Sequence, residues 1–228
     1  MSESCWRVDL GRRDFLETWE LQRRLVERRQ RDEIPDVLLF VEHPPTYTLG
    51  RSGKRDHLLI GDEALAALDA DFVETDRGGD ITFHGPGQVV GYPILDLRRW
   101  AADVHAYLRA LEEVLILALD RFGIEASREA GYTGVWHPGG KIAAIGVRVS
   151  RWVTSHGFAL NVTTDLDYFR RIVPCGIVGR GVSSMASVLE VPISPDGVRE
   201  EVSTSFGSVF ERTMKPVAEA DLESGTLP

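Results

Sequence analysis

The grouping of short strand-like segments between amphipathic helical segments constrains the fold of this chain more than any other feature. Apolar residues recur at helical spacing in several segments, of which residues 101–122 form the longest. Residues 133–136 and 141–150 have strand-like patterns and are joined by the tetrapeptide HPGG, which indicates a hairpin. Strands grouped in this way, with helices before, between and after them, predict an α+β (mixed α/β) fold rather than a strict βαβ alternation.

Capping residues and chain breaks locate the other elements. Asp14 and Asp62 are predicted to cap helices that end near residues 31 and 70, and Asp196 is predicted to cap a last helix ending near residue 214. Further strands are predicted at residues 37–41, 72–75, 89–95 and 154–162. No stretch is long enough to act as a linker, so we expect one domain over residues 1–214 and a loose polar tail over residues 215–228.

Charge and cysteine content exclude several classes of protein. The chain has 26 basic and 35 acidic residues, and the net charge of −9 argues against nucleic-acid and anionic-membrane binding. Residues 141–181 nevertheless hold six basic and two acidic side chains, a local charge of +4. Two cysteines, the lack of a secretory leader and short apolar runs predict a cytoplasmic protein without disulfides or membrane spans. We expect no regular structure around Cys5 and interpret this residue as incidental.

Residues 77–88, with the sequence RGGDITFHGPGQ, form the most unusual segment, because they contain four glycines and one proline. Glycine lets a ligand approach the main chain closely, so this loop either lines a pocket, with Arg77 and His84 at its rim, or is a tight structural turn. The segment matches neither the phosphate loop GxxxxGK[ST] nor the dinucleotide fingerprint GxGxxG. A nucleotide-binding loop is therefore not predicted.

Cys175 and Lys141 are two further candidates for a chemical role, because of the residues that surround them or the composition of the chain. Cys175 lies between Pro174 and Gly176, so it is either a thiol presented on a turn, where a nearby cation would favour the thiolate, or a small buried apolar residue. Lys141 is one of three lysines in a chain with 23 arginines. Since a lysine can give up its proton and an arginine cannot, Lys141 is either a proton carrier or a solubilising residue at a strand edge.

Motifs for metal and serine chemistry are missing from the sequence. The six histidines form no HExxH motif and no spacing paired with cysteine, and the hydrolase motif GxSxG does not occur. We therefore expect neither a metal ion nor another cofactor.

Three blocks in fixed order carry a resemblance to a known family. RGGDITFHGPGQVVGYPILDL, then GGKIAAIGVRVSRWVTSHGFALNV, then VPCGI, resemble the lipoyl(octanoyl) transferases, also called the lipoate–protein ligase B family, and EHPPTYTLG at residues 42–50 also fits. The resemblance implies the biotin/lipoate protein ligase-like fold, a mixed β-sheet flanked by helices. It also implies transfer of an octanoyl group from octanoyl-acyl carrier protein to a lysine of a lipoyl domain, which is the first step of endogenous protein lipoylation.

The resemblance also implies roles for particular residues. The cysteine of PCGI, here Cys175, carries the acyl group as a thioester, and the lysine of GGKIAAIG, here Lys141, is its dyad partner. The substrate pocket is expected to be formed by Arg77, Gly78, Gly79, Asp80, Ile81, Thr82, Phe83, His84, Ala144, Ile145, Gly146, Gly157, Phe158 and Ala159.

The resemblance also implies the partners of the reaction. The expected acceptors are lipoyl domains of 2-oxoacid dehydrogenases and the glycine cleavage H protein. Independently of the resemblance, we expect a monomer. The acidic carrier protein is expected to land on the basic stretch around Cys175, near Arg148, Arg151 and Arg170. Two alternatives remain open: an ATP-dependent lipoate or biotin ligase of the same fold, and a non-catalytic module that binds acylated proteins.

Overall fold

A computed structural model of the chain describes residues 3–173, 181–189 and 191–224. The elements, in chain order, are β1 (Glu3–Arg12), α1 (Phe15–Gln30), β2 (Asp36–Glu42), β3 (Thr46–Leu49), α2 (Asp62–Ala67), β4 (Asp71–Glu74), β5 (Ile81–His84), β6 (Gln88–Ile94), α3 (Val104–Asp120), β7 (Ser127–Glu129), β8 (Tyr132–His137), β9 (Gly140–Ser150), β10 (Val153–Asn161), α4 (Met185–Leu189), α5 (Pro195–Val209), β11 (Arg212–Pro216) and α6 (Glu219–Ser224). Short 3₁₀ turns occur at Arg55–His57, Leu97–Arg99 and Leu166–Arg171.

Side chains that accept hydrogen bonds from exposed amides set the starts of the main helices. The Asp14 carboxylate caps α1 as predicted, and Asp103 caps α3 by accepting from two backbone amides of its first turn. Helix α5 is capped by Ser194, two residues before the predicted Asp196, and Pro195 occupies its first position. Helix α2 follows a glycine and is not capped by Asp62, which is its first residue.

The strands form two sheets. The larger sheet has the order β11-β1-β2-β6-β10-β9-β8-β7, in which β11, β1 and β2 are parallel and the remaining neighbours are antiparallel. The smaller sheet has the order β4-β3-β5. The predicted hairpin corresponds to β8 and β9, and the predicted class, a mixed sheet flanked by helices, is confirmed.

Both faces of the larger sheet are buried, which explains why β2 is a continuous apolar run. Leu38 and Phe40 point to the face covered by α3 and α5, whereas Val37 and Leu39 point to the face covered by α1. Full burial of each such side chain contributes about 1.5–3 kcal/mol to folding. The smaller sheet has a core of its own, which includes Ile81.

The two ends of the chain differ from the sequence-based expectation. Cys5 lies in β1 and is 0% exposed, because β1 is buried between β11 and β2 and alternates its side chains between both cores. The expectation of a loose tail after residue 214 is wrong for its described part. Lys215 and Pro216 complete β11, and Val217 and Leu222 are buried against the sheet.

The two sheets meet at the glycine-rich segment. Strand β5 belongs to the smaller sheet and β6 to the larger one, and the turn Gly85-Pro86-Gly87 carries the chain from one to the other. Gly87 has φ +78, a conformation that favours glycine, and an added Cβ would lie 2.5 Å from Thr163 Oγ1. The most distinctive motif of the sequence therefore lies at the junction between the sheets.

No helix within the described ranges is long and apolar enough to cross a membrane.

Candidate active site

A cavity of about 520 Å³ opens at the junction of the two sheets. Its walls come from the glycine-rich loop, from β9 and β10, from the first turns of α3 and from the start of β8. Its volume lies within the roughly 300–1,000 Å³ typical of small-molecule sites. Strands β9 and β10 pair around Gly146 and Gly157, so a wall of small residues faces the loop.

The structure places nearly all of the expected pocket residues around this one cavity. The exception is Phe83, whose ring stacks 4.3 Å from the Tyr168 ring in the core of the smaller sheet and does not line the cavity. Further lining residues that the sequence analysis did not name are Phe15, Gln88, Tyr92, Val104, Leu108, Gly131, Tyr132, Thr133, Val147, His156, Asn161, Phe169 and Val182.

The glycine-rich loop packs backbone against backbone on β9. Gly78 N donates to Val147 O at 2.8 Å, and a Cβ added at Gly146 would lie 2.9 Å from Gly78 O. Arg77 is buried in this wall and not at a rim, because its Nη2 donates to Thr48 O at 2.7 Å and to Thr48 Oγ1 at 3.0 Å. The loop is thus a fixed wall, and the Arg77 guanidinium is part of it.

A chain of neutral hydrogen bonds crosses the site from this wall. The Thr48 hydroxyl contacts His84 Nε2 at 3.3 Å, and His84 Nδ1 donates to Gln88 Oε1 at 2.9 Å. Gln88 Nε2 donates to Asn161 Oδ1 at 2.9 Å, and Asn161 Nδ2 donates to Ser183 O at 3.0 Å. Burial lowers the pKa of His84 well below its usual value. His84 is therefore a neutral part of the framework with both ring nitrogens occupied.

A second buried histidine supports the first. His43 Nδ1 donates to Arg13 O at 2.8 Å, which leaves His43 Nε2 to accept from the Tyr92 hydroxyl at 2.8 Å. Burial lowers the pKa of His43 to about 4. Phe15 packs on both histidine rings, with centroids 5.2 Å from His43 and 5.7 Å from His84. His43 lies in the EHPP motif at residues 42–45, and no role was predicted for it from the sequence.

Lys141 lines a different part of the cavity, at the start of β9. Its ammonium donates to Thr133 O at 3.1 Å and lies 4.8 Å from the centroid of the Trp136 ring. Its backbone N donates to Gly181 O at 3.0 Å, and its carbonyl accepts from Ser183 N at 2.9 Å. The segment that begins at residue 181 therefore runs alongside the lysine.

Cys175 lies outside the residues that the structure describes. On the described chain before it, Val173 N donates to His57 O at 2.8 Å, and on the described chain after it Val182 lines the cavity beside Lys141. Cys5 is the other cysteine of the sequence. Burial raises its pKa well above the usual value, and it lies in the core beneath α3 and α5, so it is not available as a nucleophile.

The expected basic landing surface is partly neutralised. The guanidinium groups of Arg148 and Arg151 contact the side chains of Asp76 and Gln30 respectively. Arg170 pairs with Asp167 at 3.2 Å, yet its side chain is 82% exposed.

Within the described ranges, no three His, Cys, Asp or Glu side chains converge to hold a metal ion.

Comparisons of the sequence agree on one family. A protein-family model described as the lipoyl protein ligase A/B catalytic domain matches residues 14–207 of this chain. An octanoyltransferase from Solibacter usitatus is 52% identical over 215 residues, covering 94% of this chain and 97% of that protein. An octanoyltransferase from Flavobacterium johnsoniae is 49% identical over 228 residues, covering 92% of this chain and 98% of that protein.

Solved structures show the same fold at low sequence identity. A bipartite lipoate protein ligase from Thermoplasma acidophilum has a TM-score of 0.75 at 17% identity, covering 99% of this chain and 91% of that chain. A lipoate-protein ligase A bound with ATP has a TM-score of 0.74 at 15% identity, covering 99% and 93%. The biotin protein ligase from Aquifex aeolicus with biotin and ATP has a TM-score of 0.56 at 13% identity, covering 91% and 70%. The expected biotin/lipoate ligase-like fold is therefore confirmed.

Proposed function

Because this chain belongs to the lipoyl protein ligase A/B catalytic-domain family and to the octanoyltransferases within it, we propose that it carries an octanoyl group from acyl carrier protein to the target lysine of a lipoyl domain. The group is held in between as a thioester on Cys175, with Lys141 as the dyad partner. The acceptors are the lipoyl domains of 2-oxoacid dehydrogenases and the glycine cleavage H protein.

The observation that carries this proposal is the shared cavity. Lys141, the glycine-rich loop and the small residues of β9 and β10 surround one space of about 520 Å³. Ile145 and Phe158 give this space apolar walls against which an alkyl chain can pack. Each buried CH₂ contributes about 0.8 kcal/mol, so a pocket of fixed depth can distinguish chains that differ by two carbons.

In the first step the Cys175 thiolate attacks the thioester carbonyl of the carrier protein. The new carbon–sulfur bond to Cys175 forms as the carbon–sulfur bond to the pantetheine breaks, and the pantetheine leaves as a thiol, with the proton that Cys175 gave up on becoming a thiolate. The ammonium of Lys141 favours the thiolate by its charge, and backbone amides stabilise the oxyanion. One thioester is exchanged for another, so the step requires no ATP.

In the second step the neutral amine of the acceptor lysine attacks the Cys175 thioester. The nitrogen–carbon bond forms, the Cys175 thiolate leaves, and the proton lost by the amine passes through Lys141 to the sulfur. His84 is unsuited to this role because both of its ring nitrogens are hydrogen-bonded and burial lowers its pKa. The product amide is more stable than a thioester, so this step proceeds downhill.

The acidic carrier protein would approach over the exposed guanidinium groups. Arg170 offers a more accessible charge than Arg148, since its side chain is 82% exposed and that of Arg148 is 42% exposed. Arg148 is shared with Asp76, which reduces its attraction for an acidic partner. We therefore place the carrier nearer to Arg170 than to Arg148.

Intact-protein mass spectrometry tests the acyl-enzyme directly. The protein is mixed with octanoyl-carrier protein without ATP or acceptor, and we expect a gain of one octanoyl group that hydroxylamine releases. Cys175→Ser is expected to abolish the adduct. Cys5→Ala is the matched control, because it removes the other thiol of the chain from a fully buried position and should leave the adduct intact.

Each other outcome favours an alternative. An adduct that persists in Cys175→Ser would refute the assignment of the nucleophile. If the unsubstituted chain forms no adduct but exchanges pyrophosphate with ATP and octanoate, it is an ATP-dependent ligase like the neighbour bound with ATP. Tight binding of octanoyl-carrier protein with neither reaction would indicate a non-catalytic binding module.

A further inference from the structure

A fully buried carboxylate lies behind the strand that faces Lys141. The Glu112 side chain on α3 is 1% exposed, and its Oε2 accepts from Arg109 Nη1 at 2.6 Å and from Arg128 Nε at 3.2 Å. Its other oxygen, Oε1, accepts from Gly134 N at 3.1 Å. A buried charge is costly unless it is paired. Here two arginines neutralise the carboxylate at Oε2, and Oε1 accepts a hydrogen bond from a backbone amide of β8.

That amide belongs to the peptide unit that contacts the lysine. The bond between Thr133 and Gly134 carries both the N–H that Glu112 accepts and the carbonyl to which Lys141 Nζ donates at 3.1 Å. A peptide unit is planar, and its N–H and C=O point in opposite directions. A rotation that withdraws the N–H from Glu112 therefore also withdraws the carbonyl from the ammonium.

The local backbone leaves this peptide little other support. Gly134 has φ +126, and an added Cβ would lie 2.7 Å from Ala143 O and 3.3 Å from Lys141 Cε. The pairing of β8 with β9 shifts register just beyond it, so the regular ladder is interrupted beside the lysine. Only glycine fits this conformation and this close approach, and glycine is also the residue least able to fix its own peptide orientation.

We propose that Glu112 is a positioning residue for Lys141, which acts through the Thr133–Gly134 peptide. The carboxylate orients and polarises the peptide from its N–H end, and the carbonyl at the far end holds the ammonium against the cavity wall. The lysine thereby receives an acceptor that stays in place when the acyl group binds. This role rests on the proposed function of Lys141, but the placement of the side chain can be measured independently of that function.

The chain is well suited to a direct measurement, because it has three lysines. Labelling with [ε-13C]lysine gives three resonances, and Lys141→Arg identifies the one that belongs to residue 141. Lys54 and Lys215 are exposed and serve as internal references. Because the Lys141 Nζ lies 4.8 Å from the Trp136 ring centroid, its neighbouring carbon is sensitive to any displacement.

The variants are Glu112→Ala, Glu112→Met and the control Glu113→Gln. Methionine fills the space of the carboxylate without an acceptor for Gly134 N, so it carries the test if the alanine variant does not fold. Glu113 is adjacent on the same helix and also accepts from Arg128, at 2.6 Å, but contacts no peptide of β8 in the described structure. We expect both Glu112 variants to move the Lys141 resonance toward those of the exposed lysines, and Glu113→Gln to leave it in place.

Kinetics separate positioning from general stability. We expect kcat for octanoyl transfer to fall about tenfold in the Glu112 variants, which corresponds to about 1.4 kcal/mol, with KM for the octanoyl-carrier protein unchanged within about twofold. A Lys141 resonance that stays at its original position in both Glu112 variants would overturn the proposal. A displaced resonance with unchanged kcat would uphold the positioning and refute the catalytic role of Lys141 instead.

Discussion

The two walls of the cavity are built on opposite physical principles. The glycine-rich wall consists of buried groups whose donors and acceptors are joined to one another: the Arg77 guanidinium donates to Thr48, and a neutral chain runs from the Thr48 hydroxyl through His84 to Gln88. The Lys141 wall lies toward the β7 edge of the larger sheet, and its half-buried ammonium is held by a carbonyl and an indole ring. The first wall fixes a shape, and the second holds a charge.

This difference shows how one site can combine binding with proton transfer. A wall that must recognise an alkyl chain gains from dryness and rigidity, and buried polar groups are tolerated there only because each has its partner. A proton carrier must remain able to gain and lose a charge, which favours a group in contact with water. Glu112 lies behind the Lys141 wall and is separated from the lysine by one peptide unit. Its own charge is neutralised by two arginines.

Replacing Lys141 should produce the largest effect of any change to the charged wall. We expect Lys141→Ala to slow octanoyl transfer to a lipoyl domain by about 10²–10⁴-fold, the usual range for loss of an acid–base group. Lys141→Arg keeps the charge but cannot release a proton, so it should restore formation of the acyl-enzyme more than its transfer to the acceptor. Single-turnover measurements of the two steps distinguish these contributions.

The exposed Lys215 provides the control for that comparison. Lys215→Ala removes a lysine from β11 and should leave both steps at the rate of the unsubstituted chain. If Lys141→Arg restored both steps equally, Lys141 would act by charge alone and the proton would travel by another route.

Local patterns in the sequence predicted the parts of this comparison that depend on short-range spacing. The β8–β9 hairpin and the Asp14 cap follow from residues a few positions apart, and both are present in the structure. The pocket residues were expected from the family resemblance, which also grouped Lys141 with the glycine-rich loop.

Contacts between distant residues could not be read in the same way. Glu112 and Gly134 are 22 residues apart, and nothing in the helical pattern of α3 separates a buried glutamate from a solvated one. The parallel pairing of β1 with β11 joins the two ends of the chain, which is why Cys5 and the tail were misjudged. Such pairings depend on the folded arrangement of the whole sheet.

The buried neutral histidines beside the glycine-rich wall should make the stability of the protein depend on pH. The pKa of His43 is about 4 in the folded protein, against an ordinary value of 6.5. Between these values the unfolded chain binds a proton that the folded protein does not, so the free energy of unfolding should fall as the pH falls from 6.5 toward 4. The loss from this side chain amounts to about 3 kcal/mol at most, and His84 adds to it in the same direction.

Urea unfolding measured between about pH 7.5 and pH 5 tests this expectation. We expect His43→Gln to be less stable at neutral pH but to lose less stability on acidification. His105→Gln is the control, because His105 is exposed on α3 and should leave the slope unchanged. Carboxylates such as Asp96, whose pKa is lowered by Arg98, contribute only in more acidic solutions. Equal slopes for the protein and for His43→Gln would contradict the assignment of a neutral, buried His43.

A smaller effect is expected from a change where the glycine-rich loop packs on β9. An alanine at position 146 would place its Cβ 2.9 Å from Gly78 O and 3.2 Å from Arg77 Cδ, so the loop must move away from the strand. That movement stretches the bond between Gly78 N and Val147 O and reshapes the space for the alkyl chain. We expect Gly146→Ala to raise KM for the octanoyl-carrier protein about tenfold, or about 1.4 kcal/mol, with kcat changed less than about threefold.

The control for this prediction is a glycine with space around it. At Gly197, near the start of α5, Ser194 Cβ at 3.9 Å is the one described atom that an added Cβ would meet, so Gly197→Ala should leave KM unchanged and stabilise the helix slightly. A series of donors with shorter and longer acyl chains sharpens the test, because a displaced wall should weaken the preference for eight carbons. If Gly146→Ala instead lowered kcat and left KM and chain preference intact, the glycine-rich loop would be acting on the reacting groups. The division between a wall that binds and a wall that carries charge would then be wrong.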